Sequence, residues 1–239
     1  MGTSFDIEEM PAVEVCFAQA SRLLYCEPCG DEIAAQMRER VFAAAPYGMD
    51  DERVQRGLKL MDSWLVELDS DVGQQEFDEQ VAALKREWLR LFIGVGAPDA
   101  PCWESYYREP NSHLFGKRTL EVRELYRRHG LQIERLHSEP DDHLGLMLGF
   151  MSRLAAEEAE AVAAGDGDAA SEAALEQDAF LSDHILPWLA AWRYNVMQHA
   201  VSDYYRGVGE FVFGLCARYA QRFGIVFDEE VQTFKRVSG

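Results

Sequence analysis

Apolar residues recur along this chain at three- and four-residue intervals almost from end to end. That is the spacing of one face of an α-helix, and runs that alternate apolar with polar residues are almost absent. Val15, Ala18, Leu23 and Leu24 predict a first helix ending near Pro28 and Gly30. Asp31 suits the N-cap of a second, from Glu32 to Ala44, closed by Pro46 and Gly48. Asp50 starts a third that carries Leu58, Met61, Leu65 and Leu68. Phe77 to Phe92 reads as a fourth, with Val81, Leu84, Trp88, Leu91 and Phe92 on one face. The run Gly94-Val-Gly-Ala-Pro-Asp-Ala-Pro101 is a break that no helix crosses.

Helical spacing resumes at Thr119 and runs to His129, with Gly130 as the expected C-cap. Ser138 with Asp141 makes an S-x-x-D capping signature and Pro140 suits a first turn, so the next helix is expected to begin at Ser138. Leu144, Met147, Leu148, Met151, Leu154 and Ala155 then form one continuous apolar stripe. Gly165-Asp-Gly-Asp-Ala reads as an acidic loop. Helices from Ala173 to Asp183, Pro187 to Gln198 and Val201 to Phe223 follow, then a short amphipathic tail from Asp228 to Val237. The expectation is an all-α protein, residues 1–239 forming a single globular domain of about nine to eleven helices. Its only long non-helical insertion, Gly94 to Gly116, is where function is expected, because loops of that length in a compact domain usually carry it.

The 239 residues are 48% hydrophobic and 11% aromatic, ample for a core. A formal net charge of −19 argues against nucleic acid and acidic membrane surfaces, and would steer a basic peptide or protein toward the chain. The first residues, MGTSFDIEEMPAVEV, are acidic, with neither the basic nor the long apolar region of a signal peptide. Asp6 fails the myristoylation pattern, and no membrane span is expected. Five cysteines leave at least one thiol unpaired, which favours a reducing, cytoplasmic setting.

Candidate chemistry is sparse. Cys26-Glu-Pro-Cys29 has a redox-motif spacing, but it follows a helical run rather than a strand and lacks a second pair, so structural thiols are the expectation. Asp141, Asp142 and His143 at a helix start would fan apart by about 100° each and could not close on one ion. His199 and Asp203, four apart, read as a structural pair on one helix face. No nucleophile elbow, zinc helix or phosphate loop is present, so no metal, no cofactor and no enzymatic activity are expected. Trp88, Leu91 and Phe92 before the Gly/Pro break, and Trp103, Tyr106 and Tyr107 beyond it, concentrate aromatic surface around the one long loop. Trp and Tyr in a loop near acids suit peptide binding, since they offer large apolar area at low entropic cost.

Glu139-Pro-Asp-Asp-His143-Leu resembles the E-P-x-D-H-(L/I/F) signature of the TorD/DmsD/NarJ family of molybdoenzyme maturation chaperones. Trp88-x-x-Leu91-Phe92-Ile-Gly94 and Pro101-Cys-Trp103-Glu-Ser105-Tyr-Tyr107 are similar to two further family stretches, as are Leu114-Phe-Gly116 and the run from Thr119. The resemblance implies a TorD-like all-α fold. It also implies a cytoplasmic, non-enzymatic chaperone that binds the twin-arginine leader and apo-protein of a molybdopterin oxidoreductase, holds back export until the cofactor is inserted, and engages the export machinery. By motif, the implied leader-binding residues are Trp88, Leu91, Phe92, Trp103, Asp142 and His143, and the aromatic loop adds Tyr106. This chain departs from the pattern at Pro101, one place early, and at Glu104, where relatives can carry Gly; an acid there adds a contact for an arginine. Met147 and Met151 are adaptable lining if they reach the groove. A role on a non-exported redox subunit is the alternative within the family, a nucleotide-binding enzyme the alternative outside it, and the assembly expected is a monomer or homodimer.

Overall fold

The computed structural model describes residues 6–69, 73–94, 96–108, 116–132 and 140–237. After a 3-10 turn at Ile7–Glu9, α1 spans Met10–Tyr25 and buries Met10, Val13, Cys16, Phe17, Ala20, Leu23 and Leu24. Val15, expected on that face, is instead 56% exposed, because the stripe runs through Val13 and Cys16. α2 runs only over Gly30–Glu39, five residues short of the expected end. Arg40 takes a left-handed conformation, φ 50°, and its N–H closes on the Gln36 and Met37 carbonyls. That reversal turns Phe42 into the core. Cys29, not Asp31, is the N-cap of α2.

α3 (Glu52–Asp69) buries Leu58, Met61, Leu65 and Leu68 as expected. α4 (Gln74–Trp88) passes into a π-helical turn at Leu89–Ile93, closed by the Gly94 N–H on the Leu89 carbonyl. Short α5 (Glu104–Arg108) lies inside the segment expected to be loop, and α6 spans Lys117–Arg128. α7 covers Leu144–Ala163, with Met147 and Met151 fully buried in the core rather than lining a groove.

α8 (Gly167–Phe180) begins inside the expected acidic loop, where the Asp166 carboxylate accepts the Ala169 N–H. It continues through a second π turn, Leu181–Ile185, into α9 (Leu186–His199). α10 is Asp203–Ala220, followed by a 3-10 turn at Gln221–Phe223. The tail is no amphipathic helix: β1 (Ile225–Asp228) pairs antiparallel with β2 (Thr233–Arg236), Ile225 opposite Arg236.

Among the described residues the architecture is therefore all-α apart from that hairpin. The buried side chains from Met10 to Ile225 form one contiguous core cluster. α10 is its axis, buried almost all round, which is the signature of a helix enclosed by others. Its two buried charges are matched, Glu210 by Arg56 and Arg193, and Arg218 by Asp50. α10 packs chiefly on α3 and α7 on α1, while the short α5 packs on α6 and α9. No helix among the described residues is long and apolar enough to cross a membrane.

Candidate functional site

Two π turns hold the aromatic segment between them. A π turn shifts the helical hydrogen bonds and leaves carbonyls free for other donors. After Leu89–Ile93, the Arg90 carbonyl accepts the Asp99 N–H at 3.1 Å and the Leu91 carbonyl accepts the Ala100 N–H at 2.7 Å. In Leu181–Ile185 the cause is Pro187, which has no N–H to offer the Asp183 carbonyl. The Arg108 guanidinium takes that carbonyl, and the Trp188 indole N–H takes the carbonyl of His184. The segment is thus tied to freed backbone at both ends.

Its middle is clipped to the start of α7. Trp103 and His143 form an isolated antiparallel bridge, with the Leu144 N–H donating to the Cys102 carbonyl at 2.6 Å and the Glu104 N–H to the Asp142 carbonyl at 3.1 Å. The Asp142 carboxylate does two further tasks. One oxygen accepts the Ser105 N–H at 2.8 Å, capping α5, and the other accepts the Thr119 hydroxyl at 2.7 Å from the first turn of α6. Asp141 turns the other way, to the Arg123 guanidinium at 2.7 Å, while its carbonyl accepts the Tyr126 hydroxyl.

His143, not Ser138, caps α7: its Nδ1 accepts the Gly145 N–H at 3.0 Å. Ser138 lies outside the described residues, as do Leu114 and Phe115. Pro140 and Asp141 consequently precede the helix instead of forming its first turn. The capping bond puts the imidazole proton on Nε2. That N–H, the Trp103 indole N–H and the Ser105 hydroxyl are buried without a hydrogen-bond partner. The His143 ring stands edge-on to Trp103, centroids 5.8 Å apart, and to Tyr25 at 5.6 Å.

Burial pushes the His143 pKa down to about 3. Below its unfolded value of about 6.5 the unfolded chain binds a proton that the folded chain refuses, so acidification costs stability. For this one group the loss between about pH 7 and about pH 5.5 is about 1 kcal/mol. His143→Asn keeps a capping oxygen without the titration. Urea midpoints across that interval are expected to fall less for His143→Asn than for the wild type; parallel profiles would show that the imidazole is not held neutral.

Glu104 is not a free acid. Fully buried, it accepts from Arg108 at 2.8 Å and from the His184 ring at 2.9 Å, and Arg118 stands 3.8 Å away. Trp88 donates its indole N–H to the Leu24 carbonyl at 3.0 Å. Leu91 and Phe92 are core residues, Phe92 stacked on Trp192 and edge-on to Tyr205. The structure therefore brings Trp103, Glu104, Tyr106, Asp142 and His143 into one cluster. Trp88, Leu91 and Phe92 lie behind it, reaching it through Leu24–Tyr25 and the Leu91 carbonyl. Trp103, half-buried, and Tyr106, 51% exposed, present aromatic surface. Tyr107 is turned inward, stacked on Trp188 at 5.0 Å.

The sequence did not single out Arg108 or His184, and it offered Thr119 and Arg123 only as parts of a family-like stretch without a role, yet all four hold this cluster. The available signals were the i, i+4 spacing of Glu104 with Arg108 and a proline inside a helical run at Pro187. His199 and Asp203 do not share a helix face, since α9 ends at His199 and α10 begins at Asp203, which pairs with Arg206. The five thiols are free. Cys26 and Cys29, at the end of α1 and the start of α2, are the exposed ones. No cluster of three or more His, Cys, Asp or Glu able to hold a metal ion occurs among the described residues.

Residues 50–193 match the family described as nitrate reductase delta subunit. The chain is 30% identical over 128 residues to the Tat proofreading chaperone DmsD of Salmonella typhimurium, covering 54% of this chain and 56% of that protein. It is 26% identical over 125 residues to a probable Tat proofreading chaperone DmsD of Haemophilus influenzae, covering 52% and 54%. With the chaperone protein TorD of Vibrio cholerae it shares 29% identity over 121 residues, covering 49% and 52%. The chain thus spans little more than half the length of the curated relatives it matches. The matched residues contain the clipped segment, both π turns and the α7 cap.

Proposed function

This chain belongs to the nitrate reductase delta subunit family, and from that premise we propose that it is a cytoplasmic maturation chaperone for a molybdopterin oxidoreductase. It binds the client's twin-arginine leader, and through it the apo-protein, holding back export without changing a covalent bond. The observation that carries the reading is the clip between Trp103 and His143. It fixes a half-buried Trp and an exposed Tyr at the rim of a cluster whose carboxylates lie just beneath. Buried polar groups without a partner in that same contact cost about 1–3 kcal/mol each.

Trp103 and Tyr106 are the contact residues in this reading. Asp142, His143, Trp88, Leu91 and Phe92 position them, and Glu104 supplies the negative charge. A leader brings two guanidinium groups beside an apolar run. Burying a few leucine-sized side chains at about 1.5–3 kcal/mol each sustains roughly micromolar affinity after ordering costs. The net charge of −19 steers such a cationic segment inward.

Titration calorimetry with a synthetic twin-arginine leader and its Lys-Lys counterpart tests this. We expect one-to-one binding of the arginine peptide at about micromolar Kd, and weaker binding of the lysine peptide. Equal affinities would point to a client that is not exported, and no binding of either peptide would remove the leader from the account.

A further inference from the structure

Glu104 is surrounded by more donors than a structural carboxylate needs, and they are not equivalent. One oxygen is held from beneath by the His184 ring at 2.9 Å, with Glu104 itself fully buried. The other faces the Arg108 guanidinium at 2.8 Å, with Arg118 behind it at 3.8 Å. Arg108 and Arg118 keep 26% and 28% of their side chains in solvent, so the guanidinium groups form the layer between the carboxylate and water. Arg108 also donates to the Asp183 carbonyl, the one that Pro187 leaves without its helical donor. Two acceptors, one charged and one neutral, thus converge on a single guanidinium nitrogen.

We propose that Glu104 and the Asp183 carbonyl form an arginine receptor that Arg108 fills in cis, so that an arginine of the client's leader enters by displacing Arg108. This rests on the leader-binding reading above and adds to it a specificity determinant and an autoinhibitory contact. The exchange replaces one guanidinium by another. The buried carboxylate never stands unpaired, and the released carbonyl regains a donor, which removes the main cost of opening a buried ion pair. Lysine enters poorly, because its ammonium is a compact, strongly hydrated charge that must give up more water than a guanidinium on entering a buried site. The resident Arg108 keeps the site closed to stray cations until a segment with further apolar contacts supplies the difference, and it lowers apparent affinity by the fraction of molecules in which it is seated.

Calorimetry on the full chain with the same two peptides tests this with Arg108→Ala, Arg108→Lys and Glu104→Gln, each checked for its helical signal and thermal midpoint. Arg108→Ala is expected to bind the arginine peptide about threefold or more tightly than the wild type. Arg108→Lys, which keeps the positive charge, is expected to tighten it less. Glu104→Gln is expected to weaken the arginine peptide about tenfold and the lysine peptide little, erasing the discrimination. If Arg108→Ala does not fold, the direction of the Arg108→Lys change decides. Wild-type binding with both Arg108 variants no tighter, or with Glu104→Gln unchanged, would overturn the receptor and leave the chaperone reading standing. A wild type that binds neither peptide would overturn both.

Discussion

Gly57→Ala is expected to destabilise the protein by about 3 kcal/mol, at the upper end of what overpacking costs. For a chain of this size that is a fall in Tm of about 10 °C. Gly57 sits where α3 crosses α10, and a methyl group there would lie 2.5 Å from the Phe211 nitrogen and 2.7 Å from the Gly207 carbonyl oxygen. Both are backbone atoms of the buried central helix, so no side-chain rotation relieves the contact. Displacing α10 would disturb the packing of α3, α9 and α1 together. Gly73→Ala is the matched control, because its added methyl meets nothing within 4 Å. Calorimetric melting of both variants checks the point, and a Gly57→Ala protein that melts with the control would refute the close approach.

Asp142→Ala is expected to cost a similar amount, about 3–4 kcal/mol, by a different route. It leaves the Ser105 N–H and the Thr119 hydroxyl facing a space without an acceptor, in a position the solvent does not reach. Asp142→Asn is expected to lose part of this, since the amide keeps one accepting oxygen but turns N–H donors toward the other partner. The consequence extends beyond stability. With α5 uncapped, Trp103 and Tyr106 lose the frame that orients them, so leader affinity is expected to fall even where the variant remains folded. Urea unfolding of the variant and the wild type measures the first effect; coincident midpoints would mean that the carboxylate does not clip the segment.

Much of the scaffold was legible because helical periodicity is a local property. The stripe from Leu144 to Ala155 and the face carrying Leu58, Met61, Leu65 and Leu68 are buried as their spacing required. The failures came where a distant partner decided the outcome. Nothing near Arg40 announces a left-handed residue, and the turn that ends α2 follows from the burial of Phe42. The tail pairs as a hairpin because Phe227 and Phe234 pack against Phe213 of the central helix, a tertiary contact that a ten-residue window cannot contain.

The same distinction governs the site. The aromatic loop and the Asp-His pair were visible as composition and motif, and they meet. What the residue types could not disclose is their division of labour. An Asp and a His at a helix start suggest surface chemistry, yet here both are buried, one as a clip and one as a cap. Glu104 looked like an available acid because its pairing with His184 spans eighty positions of sequence.

Hydrogen–deuterium exchange of the full chain with and without the arginine leader peptide puts the central claim to the most direct test. If the leader docks on the clipped aromatic segment, slowed exchange is expected at residues 100–108 and at the start of α7, with the hairpin at 225–236 unchanged. Bound peptide with protection confined to the hairpin or to α2 and α3, and none across 100–108, would contradict it.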